Sequence, residues 1–159
     1  MTLKKFQFWN KIIGWTVFAI ALITYTLTLE PTVSYWDCGE YLATSVKLEV
    51  GHPPGAPLFQ MMGAFFAMFT TEVDQIAYAV NFMSGLASAF TILFMFWSMT
   101  ILLKKISQWT LESSQAQSIA ILGASAVGSL AYTFSDSFWF SAVEAEVYAM
   151  SSFLMAALF

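Results

Sequence analysis

Hydrophobic positions along the chain fall into four long stretches parted by polar segments. The first runs from residue 12 to about 29, with no charge between Lys11 and Glu30. As a helix it reaches roughly 27 Å, close to the hydrocarbon thickness of a bilayer. Lys4, Lys5 and Lys11 ahead of an apolar run also suit a cleaved signal peptide. The run is longer than a signal's apolar core, however, and no small-residue cleavage site follows Ala21, so an uncleaved anchor is expected. The second stretch, 76–103, is closed by Lys104 and Lys105. At roughly 42 Å it must tilt or protrude. A third runs from about 117 to 134, and a fourth from about 138 to Phe159, still apolar where the sequence stops. With no basic flank or aromatic belt at that stop, truncation of a longer protein is expected. A further apolar segment, 58–69, reaches only roughly 18 Å, too short to cross. It lacks the charged face of a free surface helix, which points to an interfacial or re-entrant helix packed on the bundle.

The pattern predicts an all-α integral membrane protein. It has about four transmembrane helices (12–29, 76–103, 117–134, 138–159) and an intervening loop, 30–75, that carries the short helix. Composition agrees: apolar residues make up 58% and charged residues 10%, against roughly half and a quarter in soluble domains. A net charge of −4 and six basic residues, all lysine, exclude a nucleic-acid groove with bidentate phosphate forks.

If the four spans alternate, Lys4, Lys5, Lys11, Lys104 and Lys105 share one side and Lys47 alone lies on the other. The positive-inside rule makes the lysine-rich side cytoplasmic, N-terminus included, and turns 30–75 and the Ser135-Asp136-Ser137 turn outward. Trp9, Trp15 and Trp109 near the inner boundary, and Trp36 and Trp139 near the outer one, suit aromatic belts. Small residues four apart, at Ala120, Ala124 and Gly128 and at Gly85 and Ala89, suit close helix packing in lipid.

Topology makes the acids informative. Glu30, Asp37, Glu40, Glu49, Glu72, Asp74 and Asp136 fall outside, Glu144 and Glu146 just within the outer end of the fourth span, and only Glu112 inside. Most are expected to be solvated loop residues. Asp37 and Glu40, three apart, share a face if helical. Set among Tyr35, Trp36, Tyr41 and Leu42, they have the surroundings in which a carboxyl pKa rises towards general-base work. Glu144 and Glu146 point to nearly opposite sides of a helix, so at most one faces the same cavity as Asp37. Glu144 continues into a polar stripe through Tyr148 and Ser151, which favours it, while Glu146 stays open. Cys38, the only cysteine, forms no internal disulfide, and a cysteine-based metal site is not expected. It reads as a small buried residue. In His52-Pro53-Pro54-Gly55-Ala56-Pro57, three prolines stiffen the backbone between Gly51 and Gly55. The segment reads equally as a rigid connector and as a scaffold that holds His52 at a phosphate or sugar hydroxyl. A single histidine disfavours a histidine-based metal site.

Two loop motifs together, Thr32-Val33-Ser34-Tyr35-Trp36-Asp37-Cys38-Gly39-Glu40-Tyr41 and Val50-Gly51-His52-Pro53-Pro54-Gly55-Ala56-Pro57-Leu58-Phe59, resemble a bacterial family of large membrane proteins. That family is similar to the eukaryotic transmembrane O-mannosyltransferases of the GT-C glycosyltransferase class. Asn81 and Val143-Glu144-Ala145-Glu146-Val147-Tyr148-Ala149 also match its pattern. The resemblance covers essentially the whole chain. It implies the N-terminal part of a many-helix enzyme in a bacterial inner (cytoplasmic) membrane. That enzyme would move a sugar from a polyprenyl-phosphate carrier to an acceptor, a protein hydroxyl, on the outer face. It implies Asp37 as general base and Glu40 as its support or as an acceptor-positioning group. His52 and Lys47 become candidates for the carrier phosphate, and Glu144, Glu146 and Asn81 for substrate or supporting contacts. A leaving phosphate wants cation or metal. Lys47 and His52 are the only outward cations here, so a divalent cation stays open and the fragment alone is not expected to turn over. Two other classes compete. A polytopic transporter normally carries ionisable residues and broken helices near the midplane, whereas the middles of the first three spans here are uncharged. A non-catalytic scaffold subunit would tolerate loss of Asp37, Glu40 and His52.

Overall fold

In the computed structural model, which describes residues 2–110 and 113–159, every regular element is a helix. Glu112, expected beside the lysines, lies outside the described residues. Helix α1 is Leu3–Leu27, capped by Thr2, whose hydroxyl accepts from the backbone N–H of Lys5 at 3.4 Å. Helix α2 is Cys38–Lys47, with Glu40 in its first turn and Lys47 in its last, where each charge opposes the helix dipole. Helix α3, Pro57–Ala67, opens on a proline whose missing N–H costs nothing at a helix start. Helix α4 is Gln75–Ile106, α5 Gln115–Thr133, α6 Asp136–Ala142 and α7 Val147–Leu158.

Helices α1 and α4 are long and apolar enough to cross a membrane, and α5 with α6 makes a third such unit bent by 67°. The stretch 138–159, expected as one span, is instead two helices parted at 143–146. The physical reason is local. Glu144, Ala145 and Glu146 form a tight turn in which the Glu146 N–H donates to the Glu144 carbonyl at 2.9 Å. The Val143 carbonyl accepts from the Glu30 N–H at 3.0 Å, outside the helix ladder. Helix α3 lies where the short loop helix was expected, and α2 precedes it, a helix that apolar periodicity alone did not announce.

Helix α4 is central and packs against α1, α3, α5, α6 and α7. At one end Tyr25 is fully buried and its hydroxyl donates to the Thr133 carbonyl at 3.0 Å, so the C-terminal ends of α1 and α5 meet. At the other, Lys104 sits over the rings of Phe6 and Trp109, at 5.1 and 4.5 Å. The α1 lysines therefore share an end with Lys104 and Lys105, opposite α2 and α3. Helix α5 does not use its expected small-residue face throughout. Ala120 and Ala124 are exposed, while Ser118, Ser125, Ser129 and Thr133 are buried. Ser125, Ser129 and Thr133 donate to carbonyls one turn back, which satisfies hydroxyls that lipid cannot. Gly128 does pack closely, since a Cβ there would meet the end of the Met99 side chain.

Helices α2 and α3 touch at an equally tight spot. A Cβ on Gly63 would lie 2.7 Å from Ser45 Oγ and 2.9 Å from Ser45 Cβ. Gly63→Ala is therefore expected to cost about 1–3 kcal/mol of stability, as overpacking does. Thermal unfolding in detergent should show a lowered midpoint, partly recovered when Ser45→Gly is added. An unchanged midpoint in the single variant would mean that the two helices are not packed this closely.

Candidate active site

The chain leaves α1 through a loop held by an amide. Asn81, buried on α4, donates through Nδ2 to the carbonyls of Glu30 and Thr32, at 2.8 and 3.1 Å. Trp139 Nε1 adds a bond to Thr28 Oγ1 at 2.9 Å. The loop then turns sharply at Trp36, whose φ of 61° is left-handed, an uncommon conformation for a bulky residue. Asp37 follows at the N-cap of α2 with its side chain 58% exposed, and Glu40 stands one turn further on.

The proline-rich loop returns His52 to this spot. Glu40 accepts from the His52 backbone N–H at 2.6 Å and from its Nδ1 at 2.8 Å, while His52 Nε2 lies 3.9 Å from Asp37 Oδ2. Sequence reasoning had expected aromatic enclosure to raise the carboxyl pKa values of Asp37 and Glu40. The structure corrects this for Glu40. Tyr35 and Trp36 point into the open, and the bonds from His52, first through its backbone N–H and then through its ring, pull the Glu40 carboxyl below its usual range. Reciprocally, the hydrogen bond to Glu40 and its charge raise the His52 pKa, with Asp37 adding to the shift. Tyr41 packs its ring on Phe59 and faces His52, and burial followed by nearby acids raises its phenol pKa.

Asp37, Tyr41 and His52 form one wall of a cleft of about 450 Å³. The Pro54–Phe59 stretch shapes the floor, and Val147, Tyr148, Met150, Ser151 and Leu154 of α7 supply the other wall. Its lining combines a few polar groups with a larger number of apolar side chains, the build of a small-molecule site. Tyr148 and Ser151, read from sequence only as an extension of a Glu144 stripe, are the polar groups that α7 presents here. Their three-residue spacing was the available signal.

The other sequence candidates lie elsewhere. Neither Glu144 nor Glu146 lines the cleft, because the break in the helix turns both inward. Glu144 is 3% exposed and accepts from Ser34 Oγ, and Glu146 is 9% exposed and accepts from Cys38 Sγ at 3.6 Å. The expectation that the two point to opposite faces of a helix is thereby corrected: there is no helix at that point, and both approach Cys38. Ligand-type atoms of Cys38, Glu144 and Glu146 lie within 4.8 Å of one another, which cysteine count alone had not suggested. Their atoms are engaged with each other and with Ser34, so the cluster ties the loop to the α6–α7 break. Burial first, and the two acids second, push the Cys38 thiol up to about 12. Burial likewise raises the Glu146 carboxyl pKa, partly offset by the thiol. Asn81 spends its amide on the loop, and Lys47 is exposed at the far end of α2.

Long apolar helices, with a carboxylate–imidazole cluster beside a cleft at one end of the bundle, define an all-α membrane protein with a polar site outside its spans. Residues 37–159, which include Asp37 and every other candidate above, match the family model described as protein O-mannosyl-transferase TMEM260 N-terminal domain. The chain belongs to this family. It is similar to the protein O-mannosyl-transferase tmem260 of Dictyostelium discoideum, 27% identical over 143 residues, covering 89% of this chain and 16% of the relative. It is also similar to the protein O-mannosyl-transferase TMEM260 of Mus musculus, 28% identical over 142 residues, covering 89% of this chain and 18% of that relative. The chain thus spans under a fifth of the length of these relatives. No solved structure matches it.

Burial and a raised pKa make Cys38 an inert thiol. Iodoacetamide at pH 8 should leave it unmodified in the folded protein and alkylate it fully after denaturation in SDS. Rapid labelling of the folded protein, read by mass spectrometry, would contradict the buried Cys38–Glu146 contact.

Proposed function

We propose that this chain supplies one wall of the active site of a membrane glycosyltransferase of the GT-C type. The enzyme takes a sugar from a polyprenyl-phosphate carrier and transfers it to a protein hydroxyl. The observation that carries the reading is the amphipathic cleft, in which Asp37 and His52 share one lining with the apolar side chains of Leu58, Phe59, Met150 and Leu154. Such a cleft suits a donor that is charged at one end and hydrocarbon at the other. Family membership supports the reaction class, as the relatives' printed names are those of protein O-mannosyl-transferases.

In this reading Asp37 Oδ takes the proton of the acceptor hydroxyl as that oxygen bonds to the anomeric carbon. The bond from that carbon to the carrier phosphate breaks, and its electron pair leaves with the phosphate. His52 presents positive charge to the departing group, the role a cation plays where negative charge develops. Tyr148 and Ser151 offer hydroxyls from the opposite wall to the sugar or acceptor. The lysines at the end remote from the cleft support a cytoplasmic N-terminus with the cleft on the outer face, and we place the protein in a bacterial inner membrane.

Replacing a general base typically removes about 10²–10⁴-fold in rate. Asp37→Asn in the full-length protein should lower glycan transfer to a peptide acceptor by at least about a hundredfold, with insertion and expression unchanged. Wild-type transfer by this variant would exclude Asp37 as the base. Unaltered transfer after Asp37, Glu40 and His52 are replaced together would move the chemistry out of the cleft.

A further inference from the structure

The two carboxylates beside His52 hold it differently. Glu40 grips it at two points, the backbone N–H at 2.6 Å and Nδ1 at 2.8 Å. Asp37 meets only Nε2, at 3.9 Å. Asp37, Tyr41 and His52 line the cleft, whereas Glu40 stands behind the ring. Its carboxylate is fitted there closely, since a Cβ on Gly51 would come within 3.1 Å of Glu40 Oε1 and 3.2 Å of Gln60 Nε2. Gln60, buried on α3, donates to Thr44 Oγ1 at 3.0 Å, so α2 and α3 are tied together beside Gly51.

We propose that Glu40 is a positioning residue that acts through His52, holding the ring with Nδ1–H towards α2 and Nε2 towards Asp37 and the cleft, where it stabilises the ring's cation. The use made of that cation rests on the glycosyl-transfer reading, while the arrangement of the pair does not. A carboxylate that accepts from Nδ1–H fixes the tautomer of the neutral ring and favours the imidazolium. The titratable groups facing the ring are Asp37, Glu40 and Tyr41 from α2 and its cap, with Tyr148 across the cleft. The two carboxylates favour the cation. The sign follows from the two shifts. The pair is intact once pH exceeds the lowered carboxyl pKa of Glu40, and it is lost as pH rises through the raised imidazole pKa of His52.

His52 is the only histidine in the chain, so a ring-¹⁵N-histidine label reports one imidazole. In the full chain reconstituted in lipid nanodiscs, the neutral ring should carry its proton on Nδ1 and titrate above the ordinary histidine midpoint. Glu40→Gln keeps the side-chain shape and should lower that midpoint and mix the tautomers. Asp37→Asn should lower the midpoint less and leave the tautomer on Nδ1. In the full-length protein, Glu40→Gln should lower kcat/KM more at pH 8 than at pH 6. An Nε2–H tautomer in the wild-type chain, a midpoint indifferent to Glu40→Gln, or an equal loss at both pH values would overturn the proposal. Wild-type titration as expected, with no sugar transfer by the full-length protein, would retain the positioning role and reject the enzymatic reading.

Discussion

A single buried amide sets the geometry of the polar end of this protein. Asn81 projects from α4 among apolar neighbours, and its two N–H groups leave for the carbonyls of Glu30 and Thr32. A buried amide is tolerable only when so satisfied. The satisfaction fixes where the chain travels after α1. Once Glu30 and Thr32 are held, Ser34 reaches Glu144 and Cys38 reaches Glu146, and the loop is sewn to the break between α6 and α7. Asp37 then stands at the start of α2 on the open side of the seam, and α7 follows on its other side as the facing wall of the cleft. Site and scaffold thus share one set of hydrogen bonds.

That seam explains an arrangement otherwise costly for a membrane protein. Two carboxylates and a thiol are withdrawn from water with no cationic partner among the described residues. Such groups survive burial by accepting hydrogen bonds or by taking up a proton. The first device is present at both: Ser34 donates to Glu144, and the Cys38 thiol donates to Glu146 at 3.6 Å. Asp37 and Glu40, at the start of α2, remain half exposed instead. Their partner is the single histidine, His52.

Apolar periodicity was sufficient for α1, α4, α5 and the short α3, because length and uniform hydropathy report burial in lipid directly. It missed α2, whose residues are too mixed in polarity to stand out. It also joined α6 to α7, because two carboxylates and an alanine between apolar runs look like helix when their hydrogen-bond partners are unseen. Asp37, Glu40 and His52 were legible as candidates from residue type and from loop motifs, but their convergence was not. A contact between positions twelve apart depends on how the proline-rich loop folds back. The inward turn of Glu144 and Glu146 was equally hidden, since helical spacing has no meaning where the helix is interrupted. Tyr148 and Ser151 were visible as a stripe, yet it was attached to the wrong acid.

The stiffness of the loop that carries His52 has a thermodynamic consequence. Prolines at positions 53, 54 and 57 restrict the unfolded chain as much as the folded one, so part of the ordering entropy of this segment is absent from the outset. The remaining freedom of the imidazole is rotation about its side-chain bonds, and the Glu40 contact to Nδ1 removes most of it. A ligand that engages the ring therefore meets a group with little configurational freedom left to lose, and more of each contact it makes is retained as affinity.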